Sequence, residues 1–307
     1  MTETAVRLSG VKLKRPNFQL GPINLEVPRG CVTAIVGPNG SGKSSTFRMI
    51  LDVTKPDEGE IELLGERVEP GSSSDTALRQ RIGYLQEESL SHERGFRASE
   101  KAAFVSQWYS GWDVNRYQEL LRIFEIDPSL KLGKMSKGMR RKFDLAVVLA
   151  HNPELLILDE PSSGLDPLAW KQMIELLHRY MEAGYHTILL STHIIEEVKR
   201  LADYIVFLVR GRVLGVYEKD ELLSSWFVYF FTDRELAARA DIQIESIPGK
   251  QSLERMTGMV KITTDKAVEA EDWLRQQGIT AAGKQALELD DILELLVERQ
   301  RLLTRHS

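Results

Sequence analysis

Along roughly the first 220 residues, short apolar runs alternate with longer stretches whose apolar positions recur every three to four residues. Residues 6–13 and 23–27 alternate in the manner of half-buried strands, and Pro28-Arg29-Gly30 predicts a turn. Residues 31–36 form a continuous apolar run, as expected of a strand covered on both faces. A Gly-rich segment follows, then a helical pattern over 43–51 and short strands at 61–63 and 82–85. From 98 to 150 the pattern is helical, broken at Gly111, Asp127-Pro128 and Gly133. Residues 155–158 and 187–191 read as buried strands. Between them, 167–183 reads as an amphipathic helix with Met173, Leu176, Leu177 and Tyr180 on one side. Residues 204–209 and 212–217 predict a hairpin across Gly211. Strands alternating with helices argue for an α/β sheet with covered faces, and the uninterrupted helical stretch 98–150 for an inserted subdomain.

The texture changes after Leu223. Short strands at 226–232, 242–247 and 259–263 are mixed with helices at 267–277 and 289–303, which predicts a separate small α+β domain over 224–307, after a first domain of 1–223. Residues 226–231 are aromatic enough to aggregate as an open edge, so they should be paired or covered. Leu289, Ile292, Leu293, Leu296, Val297 and Leu303 make a helical stripe that must be buried, on this domain's own sheet or against a second subunit. There is no internal repeat and no low-complexity segment.

Composition adds mainly exclusions. With 42% apolar and 28% charged residues, the 307-residue chain can build a core, which excludes a disordered protein. A net charge of −5 gives no bulk attraction to nucleic acid or anionic lipid. The lone cysteine, Cys31, allows neither an internal disulfide nor a cysteine cluster for zinc, which fits a reduced compartment. The beginning of the chain has no secretory pattern, and its longest apolar runs are about a third of the ~20 residues a membrane helix needs.

Gly37-Pro38-Asn39-Gly40-Ser41-Gly42-Lys43-Ser44, followed by Ser45, matches the phosphate-loop pattern at every fixed position and lies between a buried strand and a helix. The glycines let successive amides turn toward one anion, and the helix adds its positive end. Lys43 is placed for the β- and γ-phosphates of a nucleoside triphosphate, and the Ser44 hydroxyl for Mg²⁺. Residues 155–158 end in Asp159-Glu160. At the C-terminal end of such a strand, Asp159 can hold Mg²⁺ and Glu160 can orient or deprotonate the attacking water.

With these two motifs in hand, residues 6–216 resemble the ATP-binding subunit of an ABC transporter, whose fold is a P-loop NTPase cassette with an inserted helical subdomain. Gln86 matches the glutamine that in the family contacts Mg²⁺ and the membrane partner. Met135-Ser136-Lys137-Gly138-Met139 matches the family signature, usually Leu-Ser-Gly-Gly-Gln, and departs from it at Met135, Lys137 and Met139. Ser136 and Gly138 keep the hydroxyl and the amide that face a γ-phosphate. Ser162-Ser163-Gly164-Leu165-Asp166 matches the D-loop and His193 the switch histidine. The resemblance implies ATP and Mg²⁺ as ligands and a second ATPase subunit, identical or paralogous, whose ATP is met by this chain's signature segment. It also implies a separately encoded membrane permease, and a place on the inner face of the cell membrane. Lys137 either adds charge near the phosphates or faces solvent. The adenine is stacked by Phe18 or by Arg15.

The signature form and the stretch Tyr109-Ser110-Gly111-Trp112-Asp113 resemble bacterial export ATPases of the bacitracin-resistance and acetoin-utilisation type, implying export of a peptide, antibiotic-like or amphiphilic compound. An importer would share every motif. A soluble ABC protein of translation or DNA repair usually carries two cassettes or a coiled-coil insertion, and this chain has neither. Phe104, Trp108, Tyr109 and Trp112 read as packing on a permease-facing surface rather than a nucleic-acid site, and Arg140-Arg141-Lys142 as a solvated helix face.

Overall fold

The computed structural model describes residues 3–16, 18–68, 73–87, 91–233, 235 and 243–305, with backbone only at 73, 74, 91 and 300–305. Two compact units divide it, Met1–Val216 and Tyr217–Ser307.

In the first unit, β1 (Thr4–Arg15) and β2 (Phe18–Pro28) pair antiparallel, and β3 (Val32–Val36) leads into α1 (Lys43–Ile50). Next come β4 (Glu58–Leu63), β5 (Glu66–Arg67), α2 (Ser73–Gln80) and β6 (Ile82–Leu85). The helical stretch resolves into α3 (Ala98–Ser106), α4 (Val114–Ile123) and α5 (Lys137–Leu149). The unit continues with β7 (Leu155–Asp159), α6 (Pro167–Met181), β8 (Thr187–Thr192), α7 (Ile195–Leu201), β9 (Tyr204–Val209) and β10 (Arg212–Glu218).

The strands form a four-stranded sheet, β2-β1-β4-β5, and a six-stranded sheet, β10-β9-β3-β8-β7-β6. In the second, β9, β3, β8, β7 and β6 run parallel, and β3, β7 and β8 are buried at every position, in keeping with their largely apolar sequences. Leu8, Leu20, Ile35, Phe47, Ile157 and Leu189 belong to one core that joins the two sheets. The predicted hairpin turns at Arg210 and Gly211, both at positive φ (49° and 76°).

In the second unit, α8 (Lys219–Ser225) packs with α9 (Ala267–Gln277), so the division between units falls before α8, ahead of the expected boundary at 223. Strands β11 (Phe227–Thr232), β12 (Lys250–Met256), β13 (Met259–Thr264) and β14 (Gly283–Ala286) form an antiparallel sheet ordered β12-β13-β11-β14, and α10 (Leu289–Arg305) follows β14. The aromatic β11 is paired on both sides, as its composition demands. The expected strand at 242–247 is corrected: residues 244–246 form a 3-10 turn that buries Ile244, and Ile242 lies outside the described residues. Strands β12 and β14 are too polar to have been read as strands. Leu289, Ile292 and Leu296 of the expected stripe are buried and Leu293 and Val297 half-buried; the side chain of Leu303 lies outside the description. No described helix is long and apolar enough to cross a membrane.

Candidate functional site

The loop between β3 and α1 is built for close approach. A Cβ on Gly37 would lie 1.9 Å from the Leu208 carbonyl oxygen, and one on Gly42 would lie 2.4 Å from Leu20 Cδ1. Gly42 caps α1 at φ 111°, a conformation that favours glycine. Gly211 N–H donates to the Ser41 carbonyl (2.8 Å), tying the loop to the β9–β10 turn. The first-turn amides of α1 have no helical acceptor and face outward with the positive helix end. Phe18, Asn39, Gly40, Ser41, Gly42, Lys43, Ser44, Ser45, Glu87 and Glu160 line a cleft of about 430 Å³. Ser41 Oγ is buried there with no hydrogen-bond partner, an unmet polar group that a phosphate oxygen would satisfy.

Lys43 is only 6% exposed; its Nζ donates to the Gly37 carbonyl (2.8 Å) and lies 3.6 Å from Glu160 Oε1. The other carboxylate oxygen of Glu160 accepts from His193 Nδ1 at 2.7 Å. Glu160 is 6% exposed and sits at φ 49°, left-handed for a non-glycine and a cost of about 1–2 kcal/mol. Its N–H donates to the Ser191 carbonyl at 3.0 Å, which holds this unfavourable turn in place. Asp159 is buried one residue earlier on β7, and its Oδ1 accepts from the Ser191 hydroxyl of β8. Phosphate-loop lysine, acid pair and histidine, far apart in sequence, thus meet at the C-terminal ends of β3, β7 and β8.

Other expected residues lie further out. The Gln86 side chain is not among the cleft's lining; its carbonyl accepts from Arg141. Ser136 caps α5 by accepting from Met139 N–H (3.1 Å), and neither it nor Gly138 lines this cleft. A Cβ on Gly138 would meet the Gly164 carbonyl at 2.8 Å, so the signature segment lies against the 162–166 loop. Lys137 is exposed, but its Nζ donates to Ser163 Oγ (2.9 Å) and its methylenes cover Gly164. Of the two adenine candidates, Phe18 lines the cleft, and exposed Arg15 donates to the neighbouring Lys14 carbonyl.

The reading of 140–142 as a solvated face is overturned. Arg140 and Arg141 are 8% and 4% exposed. Arg140 pairs with Asp144 (2.9 Å) and with buried Glu93. Arg141 donates to five carbonyls, those of Gln86, Glu87, Asp159, Glu160 and Pro161. One guanidinium therefore fixes the backbone on both sides of the acid pair. Burial pulls it below its usual range, with Asp144 and Asp159 acting in opposition.

Sequence reasoning also missed Glu197, fully buried on α7 beside Ser162 and Thr192, with Trp170 Nε1 donating to Oε1 (3.3 Å) and no partner for Oε2. Burial pushes its carboxyl up. A glutamate four residues after the histidine was the available signal. Of the aromatic stretch, Tyr109 stacks on His151 (3.9 Å) and Trp112 meets Tyr117, while Phe104 and Trp108 are exposed.

Among the described residues no three His, Cys, Asp or Glu side chains form a metal cluster. A phosphate-loop Mg²⁺ site needs none, since nucleotide oxygens and water complete its shell. Half-buried Ser44 in the cleft and Asp159 beside it are the oxygen donors that fit.

Residues 20–163 match the family described as ABC transporter. The chain is 34% identical over 206 residues to the bacitracin transport ATP-binding protein BcrA of Bacillus licheniformis, covering 65% of each chain, just under two thirds of that relative. It is 31% identical over 294 residues to the daunorubicin resistance ATP-binding protein DrrA3 of Streptomyces coeruleorubidus, covering 89% of this chain and 92% of that one. A solved ATP-binding subunit of an ABC transporter superposes with a TM-score of 0.64 at 29% identity, over 72% of this chain and 92% of the other.

Proposed function

Since this chain belongs to the ATP-binding subunits of ABC transporters, we propose that it hydrolyses ATP in the cleft beside Glu160 and so drives a separately encoded permease that exports an amphiphilic or antibiotic-like compound. The observation that carries the site is the convergence of Lys43 and His193 on the two oxygens of one buried carboxylate, 3.6 and 2.7 Å away.

In this reading the loop amides and Ser41 cradle the phosphates, Lys43 balances the β- and γ-phosphate charge, and Phe18 stacks on adenine. Ser44, Asp159 and Gln86 would hold Mg²⁺, and the ion would supply neutralisation of the phosphate charge. Glu160 orients water in line with the γ-phosphorus and accepts its proton as the water oxygen bonds to phosphorus and the bond to the ADP oxygen breaks. His193 fixes the Glu160 carboxylate and meets the γ-phosphate from its exposed side. Ser136 and the Gly138 amide, outside this chain's own cleft, act on the nucleotide of a second ATPase subunit.

Export is favoured over import by the names of the relatives, which describe bacitracin transport, daunorubicin resistance and Nod factor export. The permease places the protein on the inner face of the membrane. Its contact is the apolar groove of about 320 Å³ lined by Val53, Leu78, Tyr84, Val105 and Val147, next to Phe104 and Trp108. The division of the chain into two units supports two separate domains, so a chain ending near Leu223 should still fold and bind ATP. The test is co-purification from detergent-solubilised membranes, followed by ATP-driven uptake into inverted vesicles. Capture of a polytopic membrane protein and uptake that stops with Glu160→Gln are expected. Recovery with soluble partners alone, or uptake only into right-side-out vesicles, would overturn the reading.

A further inference from the structure

The sheet of the second unit has two unlike faces. Because side chains alternate along a strand, Tyr229, Phe231, Val260 and Ile262 all point one way, and they pack against Ala270 and Leu274 of α9 in a dry core. The opposite face is polar where it should be covered. Cross-strand register aligns Ser252, Thr263, Val228 and Gln285 in one row across all four strands, and Glu254, Lys261 and Phe230 in the next.

That face is the floor of a cavity of about 330 Å³ walled by α10, the size at which small-molecule sites begin. Thr263 is 2% exposed, and Ser252 Oγ is buried without a hydrogen-bond partner. A buried hydroxyl left unpaired costs ~1–3 kcal/mol, so Ser252 Oγ on this floor points to a polar ligand group. Helix α10 contributes Asp291, Glu294 and Glu298, spaced three and four residues apart on the cavity side. None is in an ion pair among the described residues, whereas Lys261, the one cation among the described lining residues, is already held by Glu254 at 3.0 Å. Leu287, Leu295, Val228 and Phe230 supply apolar wall.

We propose that this cavity binds a small amphiphile carrying a primary ammonium group. Its N–H donors would meet the Ser252 hydroxyl and the three carboxylates, and its hydrocarbon would lie on Phe230 and Leu295. A carboxylate or phosphate ligand would face uncompensated negative charge, and a neutral alcohol would leave three acceptors without a cation. The site lies wholly within the second unit and does not depend on how ATP is used in the first.

Calorimetric titration of the full chain at neutral pH with n-octylammonium, n-octanol and octanoate, each below its micelle concentration, tests this. Saturable binding of one octylammonium per chain is expected, at least ~10-fold tighter than octanol, with octanoate not binding. Glu294→Gln with Glu298→Gln should weaken octylammonium at least ~10-fold, and Thr263→Val by several-fold, with ATP affinity unchanged throughout. The exposed glutamine substitutions keep the test decisive if Thr263→Val fails to fold. Equal affinity for octanol, no saturable binding, or an unchanged affinity in the double variant would each overturn the proposal.

Discussion

Arg141 is the residue whose loss should be felt most widely. Its buried guanidinium donates to the carbonyls of Glu160 (2.6 Å), Pro161 (2.9 Å) and Glu87 (3.3 Å), and also to those of Gln86 and Asp159. The Gln86 and Glu87 contacts are partly buried, so water can replace the donor there; the other three are buried. Three orphaned carbonyls at ~1–3 kcal/mol each, less the desolvation no longer imposed on the guanidinium, give a loss of about 3–5 kcal/mol for Arg141→Ala. Arg141→Lys keeps the charge, but three donors on a point cannot span five acceptors around a plane, and about 2 kcal/mol is expected. Turnover should suffer more than binding, because the backbone turn that aims Glu160 relaxes while the phosphate loop does not; a misplacement of ~1 Å can cost ~10²-fold. Urea unfolding with ATP turnover and calorimetric ATP binding on both variants checks this. Arg141→Lys should keep ATP affinity within about threefold and lose at least ~10-fold in kcat. Near-normal stability and turnover for Arg141→Ala would refute the reasoning.

Lys43→Ala removes the cation facing the phosphates, and calorimetry should show ATP affinity reduced ~10-fold or more. Lys137→Gly breaks the bond to Ser163 outside the chain's own cleft; ATP binding by the monomer should be unchanged, while light scattering shows ATP-dependent dimerisation altered. Burial pushes the His151 pKa down to about 4. A depressed folded value means that the stability from neutral His151 is complete above its unfolded pKa of about 6.5 and is lost as pH falls toward 4. Urea unfolding should therefore show about 3 kcal/mol less stability at pH 4 than at pH 7 from this group, a slope that His151→Gln flattens.

The phosphate loop and the acid pair were legible because their chemistry dictates both residue type and neighbouring strand, and largely apolar runs marked β3, β7 and β8. Arg141 was misread because three basic residues in a row look solvated; only the fold shows that α5 is enclosed, with Glu93 facing Arg140 and loop carbonyls facing Arg141. The outer strands β12 and β14 were invisible for a related reason. An edge strand needs partners on one side only and tolerates polar side chains, so Gly283–Ala286 carries no apolar alternation, and its Lys284 covers the Phe227 ring at 3.8 Å. Glu197 escaped notice because burial of a glutamate depends on the hydroxyls and the indole that three other segments bring to it.

In the proposed mechanism Glu160 takes the proton of the attacking water in an ATP site shared with Lys43 and His193. Glu160→Gln keeps the size and one acceptor but removes the charge. Measured together, ATP affinity should be retained, turnover should fall at least ~10²-fold, and an ATP-bound dimer should accumulate. Hydrolysis by the variant at close to the normal rate would contradict the account.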